Sequence, residues 1–179
     1  MKTITATRKT KPLSLTPYGD TVRIIDQATG LVQYTGNIST NPNPTAAAGK
    51  ILWFKSYAQI APGTYTWRFV SNHPKYGRSI LVNEGKAVPT TNTNAKHQNR
   101  SIATEIFIHK GWKDTWRGSA GCFTVPPREA ERFFSFFKDG ETGTLILNDL
   151  TKSGTAALMP LLIFGAAVIA GIYLTKGRP

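Results

Sequence analysis

Residues 103–125 read ATEIFIHKGWKDTWRGSAGCFTV. The centre, Ile106-Phe107-Ile108, is apolar without alternation, the pattern of a strand buried on both faces. A glycine-rich loop follows, Gly111 to Gly121, and Cys122-Phe123-Thr124-Val125 then starts a second short apolar strand. Two strands joined by such a loop point to a β domain. The flanks agree. PPREAERFFSFFKDG (126–140) has Pro at its start, acid groups early and Gly at its end, which predicts a helix whose phenylalanines face a core. TGTLILND (142–149) reads as the closing strand.

Further upstream, TVRIID and LVQYTG alternate apolar and polar residues about an Ala-Thr-Gly turn, the pattern of a β-hairpin. TYTWRFVS (64–71) is rich in β-branched and aromatic residues and reads as a strong strand. ILWFKSY (51–57) also reads as a strand, and RSILVNEGKAVP (78–89) as two short strands about a Glu-Gly turn. TTNTNAKHQNR (90–100) is polar and reads as a long surface loop. The expected fold is mainly β with one short helix and a C-terminal transmembrane helix. The expected division is a flexible basic arm over 1–18, one domain over 19–150, a linker over 151–153, the transmembrane helix over 154–174 and a basic tail over 175–179.

The chain has 179 residues, 22 Lys and Arg against 10 Asp and Glu, and a formal charge of +12. Apolar residues make up 40%, enough for a packed core and too many for a wholly disordered chain. With Cys122 as the single cysteine, an internal disulfide and a cysteine-rich metal site are both excluded. The charge suits anionic lipid, an acidic wall polymer or nucleic acid, and equally a solvated basic surface. No helix-turn-helix, RNP or finger motif accompanies it, so nucleic acid is not the expected partner.

Between Lys152 and Lys176 no residue is charged. A helix over 154–174 would span roughly 30 Å, the thickness of a bilayer's hydrocarbon core. The expected partner of this segment is a lipid bilayer, and the expected location a membrane with a single C-terminal anchor. The first twenty residues are basic but lack the apolar stretch of a signal peptide.

His73 and His97 lie in polar loops and read as surface residues. His109 differs, because it ends an apolar strand and opens into a glycine-rich loop. Cys122 begins the next strand directly after Gly118-Ser-Ala-Gly. A cysteine nucleophile needs a nearby base to raise its thiolate fraction. If the two flanking strands pair, His109 and Cys122 reach the same rim. The base also needs an acceptor on its second nitrogen. Asp114 and a backbone carbonyl between Trp112 and Gly118 both qualify. Backbone N–H groups of Gly121 and Cys122 could hold an oxyanion, and Ser119 could brace the loop. Trp112 and Trp116 could stack on a sugar or peptide, or simply pack the loop. Lys110, Lys113 and Arg117 would favour a thiolate and attract a carboxylate. Such chemistry requires neither metal nor cofactor.

Ile108-His-Lys-Gly followed by Ser119-Ala-Gly-Cys resembles the signature of L,D-transpeptidases, in which a His-Gly segment precedes Ser-x-Gly-Cys. PGTYTWRF (62–69) looks like the Pro-x-Gly-x-Tyr strand of that family, and the early hairpin and the TGTLIL strand also fit. The likeness covers about residues 20–150. It implies a β-sandwich or barrel catalytic domain acting on peptidoglycan stem peptides, with Cys122 as nucleophile, His109 as base, Gly121 in the oxyanion hole and Ser119 stabilising the loop. The loop before Ser119 is shorter than is usual in bacterial members. Phe123-Thr124 stands where an apolar residue and then Arg are common, so Arg117, Arg100 or Arg78 would have to replace that Arg. The short form is similar to compact relatives that toxins and phages use against cell walls. A wall substrate with no export signal is consistent with a virion carrying an internal membrane, whose capsid or other membrane proteins would then be partners, or with a cell-envelope protein exported by a dedicated machine. The alternative is a non-catalytic structural membrane protein that bridges lipid to a protein shell.

Overall fold

The computed structural model describes residues 1–11, 14, 16–42, 58–94, 97–115 and 119–151. The expected strand at 51–57, Trp116, Arg117, the Lys152-Ser153 part of the linker, the 154–174 span and the 175–179 tail lie outside these residues. Among the described residues no helix is long and apolar enough to cross a membrane.

Among the described residues, ten strands and one α-helix follow in chain order. They are β1 Lys2–Arg8, β2 Asp20–Asp26, β3 Val32–Ile38, β4 Gly63–His73, β5 Gly77–Val82, β6 Val88–Asn94, β7 Arg100–Ala103, β8 Phe107–Lys110, β9 Phe123–Val125, α1 Pro127–Phe134 and β10 Thr142–Asp149. Eight strands make one sheet in the order β3-β2-β1-β10-β4-β5-β8-β9. Its two edges nearly meet, because Ser39 N donates to Thr124 O at 2.8 Å and Thr124 N to Ser39 O at 3.0 Å. The result is a nearly closed, barrel-like sheet, within the expected mainly β class.

Alternation places the core. Ile4 and Ala6 of β1, Val22 and Ile24 of β2, Tyr65, Trp67 and Phe69 of β4, Ile80 and Val82 of β5, and Leu145 and Leu147 of β10 are all buried. These residues recur at every second position, so one face of each strand turns inward. Helix α1 packs against that face. Phe133 meets Tyr34 edge-on at 5.5 Å, and Phe137 meets Trp67 at 5.2 Å and Phe69 at 5.6 Å. Each phenylalanine so buried contributes about 2 kcal/mol of transfer free energy. Glu129, in the first turn of α1, accepts from Tyr34 Oη at 2.9 Å and from Asn37 N at 3.0 Å, which ties the helix to β3.

Three expectations need correction. Residues 2–8 are not part of an arm but a strand near the middle of the sheet, parallel to β10 and antiparallel to β2. Its basic end is internal: Arg8 is fully buried and bonds Asp149 Oδ2, Thr40 Oγ1, Thr40 O and Ile60 O. The polar segment at 90–100 is not simply a loop. β6 runs to Asn94 and pairs with β7 in a separate two-stranded ribbon, with Val88, Thr90 and Ala103 buried on its inner face and Pro89 and Thr91 exposed. The helix stops at Phe134, well before Gly140.

Candidate active site

β8 and β9 are adjacent and parallel, with Ile108 level with Phe123 and His109 level with Thr124. Cys122 stands one residue before this register, level with Phe107. It is therefore on the same face as His109, displaced by two residues along the neighbouring strand. Strand spacing and rise put the two Cα atoms roughly 8 Å apart. Ile108 and Phe123 occupy the opposite, core-facing side and are fully buried, which anchors both strands.

The imidazole of His109 is 7% exposed. Its Nδ1 lies 2.7 Å from Lys110 O, so Nδ1–H donates there and Nε2 keeps its lone pair. The acceptor is thus the carbonyl of the next residue, neither Asp114 nor the 112–118 loop. A strand that bends into Gly111 brings that carbonyl back to its own neighbour. Burial lowers the His109 pKa, and the Lys75 charge lowers it further, against the opposing bond to Lys110. The resting imidazole is neutral near pH 7, the form a base requires.

Cys122 is partly exposed. Enough still packs around its sulfur for burial to push the thiol up, against the opposing effects of the Phe107 backbone, the Lys75 charge and the Tyr76 side chain. The sulfur also lies 3.9 Å from Glu105 O. The resting pair is therefore thiol and imidazole rather than an ion pair, and a proton must move when the sulfur attacks.

The loop before Cys122 is braced from within. Ser119, buried, donates its hydroxyl to Cys122 O at 2.5 Å and accepts from Gly121 N at 3.0 Å. Gly121 N–H is thereby engaged. What Gly121 supplies in this geometry is room: a Cβ there would lie 2.9 Å from Ala58 Cβ and 3.0 Å from Ala58 O. Ala58 N in turn donates to Ala120 O at 2.9 Å.

A cleft of about 610 Å³ opens beside the imidazole. Lys75, Tyr76, Arg78, His109, Lys110 and Trp112 are among the residues that line it, and Cys122 is not. Trp112 is 76% exposed and free to meet a ligand. Arg78 holds Glu131 Oε2 at 3.1 Å on the far wall. Arg100 lies elsewhere, on β7, where it bonds Gln98 and lines a separate pocket of about 220 Å³ with His97. Of the expected substrate-binding residues, Trp112 lines the cleft, as does Arg78, one of the stand-ins for the family's Arg, whereas Arg100 does not; Trp116 and Arg117 lie outside the described residues.

The sequence reading missed the turn between β4 and β5. His73 is half-buried, not a surface decoration, and its Nδ1 accepts from Lys75 N at 3.2 Å and Tyr76 N at 3.3 Å. Tyr76 stacks on His109 with ring centroids 4.4 Å apart and packs on Phe107 at 5.0 Å. Two aromatic residues inside the polar run Ser71–Arg78 were the available signal. Thr124 Oγ1, level with His109, is buried and has no hydrogen-bond partner among the described residues. Comparisons with known protein families, with curated proteins and with solved structures found no match for this chain.

Proposed function

We propose that this chain is a cysteine acyltransferase or hydrolase of peptidoglycan stem peptides, of the L,D-transpeptidase type, held to a membrane by residues 154–174. The observation that carries the reading is the placement of Cys122 and His109 on one face of two paired strands, with the imidazole's Nδ1 fixed on Lys110 O. Support also comes from the Ser119-Ala-Gly-Cys loop and from a basic, partly aromatic cleft against the base.

The reaction runs in two halves. His109 Nε2 takes the thiol proton as Cys122 Sγ bonds to a peptide carbonyl carbon. The tetrahedral oxyanion collapses, the C–N bond breaks, and the leaving amine takes the proton from His109. An acceptor amine, or water, then gives a proton to His109 and bonds to the thioester carbon; the C–S bond breaks, and the departing sulfur takes that proton from His109 to return the thiol and the neutral imidazole. An amine gives transpeptidation, and water gives peptide cleavage. Lys75, Arg78 and Lys110 favour a donor that carries a carboxylate. We place the protein in a virion membrane or a bacterial envelope.

One observation favours the non-catalytic alternative, a structural membrane protein: Cys122 is not among the residues lining the cleft. Incubating purified sacculi with the full chain, with Cys122→Ala and with His109→Gln, and separating the muropeptides, decides between them. The expected result is a changed stem-peptide or cross-link pattern with the wild type alone. Matching patterns for wild type and Cys122→Ala would sink the enzymatic reading.

A further inference from the structure

We propose that Tyr76 is a positioning residue for His109, its ring holding the imidazole in place beside Cys122; this rests on the catalytic reading above. Tyr76 is on a different hairpin from His109 and Cys122. Its ring lies parallel to His109, 17° between planes at 4.4 Å, and so covers one face of the imidazole. It also lines the cleft that opens beside the base.

The ring is itself held. His73 stacks on it at 5.2 Å, Phe107 packs at 5.0 Å, and Lys75 Nζ lies 5.1 Å from its centroid. The His73 bonds to Lys75 N and Tyr76 N fix the turn that carries it. A ring clamped in this way restricts imidazole rotation, which Nδ1 alone, on one carbonyl, does not. The charged and titratable groups of the packed elements are His73, Lys75 and Arg78 from the β4–β5 hairpin, Glu105 and Lys110 flanking β8, Lys113 and Asp114 in the following loop, and Glu131 on α1. Lys75 is the charge that acts on both partners, disfavouring the imidazolium and favouring the thiolate.

The test uses the full chain, with iodoacetamide as the probe of Cys122 and the His109 ring proton signal as the probe of the base, neither of which needs a wall substrate. Tyr76→Phe keeps the ring, so its His109 titration and alkylation profile should overlay the wild type. Tyr76→Ala removes the ring, so the His109 midpoint should rise as water reaches the imidazole and the Cys122 alkylation rate near pH 7 should fall. Thermal melts of both variants verify folding. A His109 titration unmoved in Tyr76→Ala, or moved as far in Tyr76→Phe, overturns the proposal. If these profiles shift as stated while muropeptides stay unchanged, the positioning role stands and the wall substrate is what fails.

Discussion

Arg8→Met removes the most heavily bonded buried cation among the described residues, and its cost follows from the contacts. The guanidinium makes four hydrogen bonds, to Asp149 Oδ2 at 3.0 Å, Thr40 Oγ1 at 3.0 Å, Thr40 O at 3.0 Å and Ile60 O at 2.8 Å. The Arg8 side chain is 0% exposed and that of Asp149 3%. Methionine fills most of the volume but leaves a carboxylate and two carbonyls without these donors. Breaking a buried pair from one side costs about 3–5 kcal/mol. Asp149 keeps Thr151 N at 2.9 Å and Thr151 Oγ1 at 2.6 Å, which argues for the lower half of that range. In a domain of this size each kcal/mol is about 2–4 °C, so the melting temperature should fall by roughly 6–16 °C. Burial alone would raise the Asp149 carboxyl, but the Thr151 and Arg8 bonds outweigh it and hold it below the ordinary aspartate range. A depressed carboxyl stabilises above its unfolded pKa of about 4 and loses that contribution as pH falls through the folded value. Urea titrations at neutral pH and at acid pH read both effects. The gap between wild type and Arg8→Met should be widest near neutrality and narrow in acid. A neutral-pH difference under about 1 kcal/mol would refute the reasoning, since it lies below the cost of even one unsatisfied buried group.

Gly121→Ala should lose about 1–3 kcal/mol, the cost of forcing a methyl against Ala58, and should slow Cys122 alkylation by displacing the loop; chemical denaturation and iodoacetamide kinetics check the two parts. Burial raises the pKa of both Tyr34 and Tyr65, aided at Tyr34 by its bond to Glu129. Both phenols should therefore stay protonated in the folded protein when ordinary tyrosines have ionised, and stability, complete below about pH 10, should decline as pH rises beyond it. Ultraviolet phenolate titration of wild type against Tyr34→Phe measures this, and equal early-titrating amplitudes in folded and unfolded protein would contradict it. His109 has a lowered pKa, so its stabilising contribution is present above the unfolded value of about 6.5 and is lost as pH falls through the folded one. Its ring proton signal should titrate below the ordinary histidine range, and His109→Gln should flatten the stability profile there.

The elements that were legible are those with a local cause. The 20–38 hairpin declares itself by alternation about a glycine turn, β4 by its aromatic and β-branched run, and α1 by Pro127 and the phenylalanines. The strand–loop–strand that carries His109 and Cys122 was legible too, and the pairing that the sequence left as a condition is present. What escaped the reading depends on partners distant in sequence. Lys2, Arg8 and Lys9 look like a solvated arm until Asp149 and Asp20 are placed beside them, where Asp20 Oδ1 accepts from Lys9 N at 2.8 Å. β6 shows no apolar alternation because Thr90, a polar residue, takes the buried place after Val88. Tyr76 was passed over because a turn of Asn, His, Pro and Lys gives no hint that its aromatic folds back over a strand thirty residues later.

The first strand of the domain and its last are direct neighbours, Lys2 level with Gly143 and Arg8 with Asp149. During synthesis, β1 has only β2 to lean on until the ribosome has released residue 149. The sheet then closes around contacts between residues about 140 positions apart, Arg8 and Asp149 among them, an arrangement that slows folding. β8 and β9 are synthesised before β10, so the Cys122–His109 face is free to pair before the last strand arrives. Anything fused ahead of Met1 also begins at an internal strand of the sheet rather than at a free edge, so a partner or tag attached there emerges beside the β2–β3 turn, where Gln27 N donates to Met1 O at 3.1 Å.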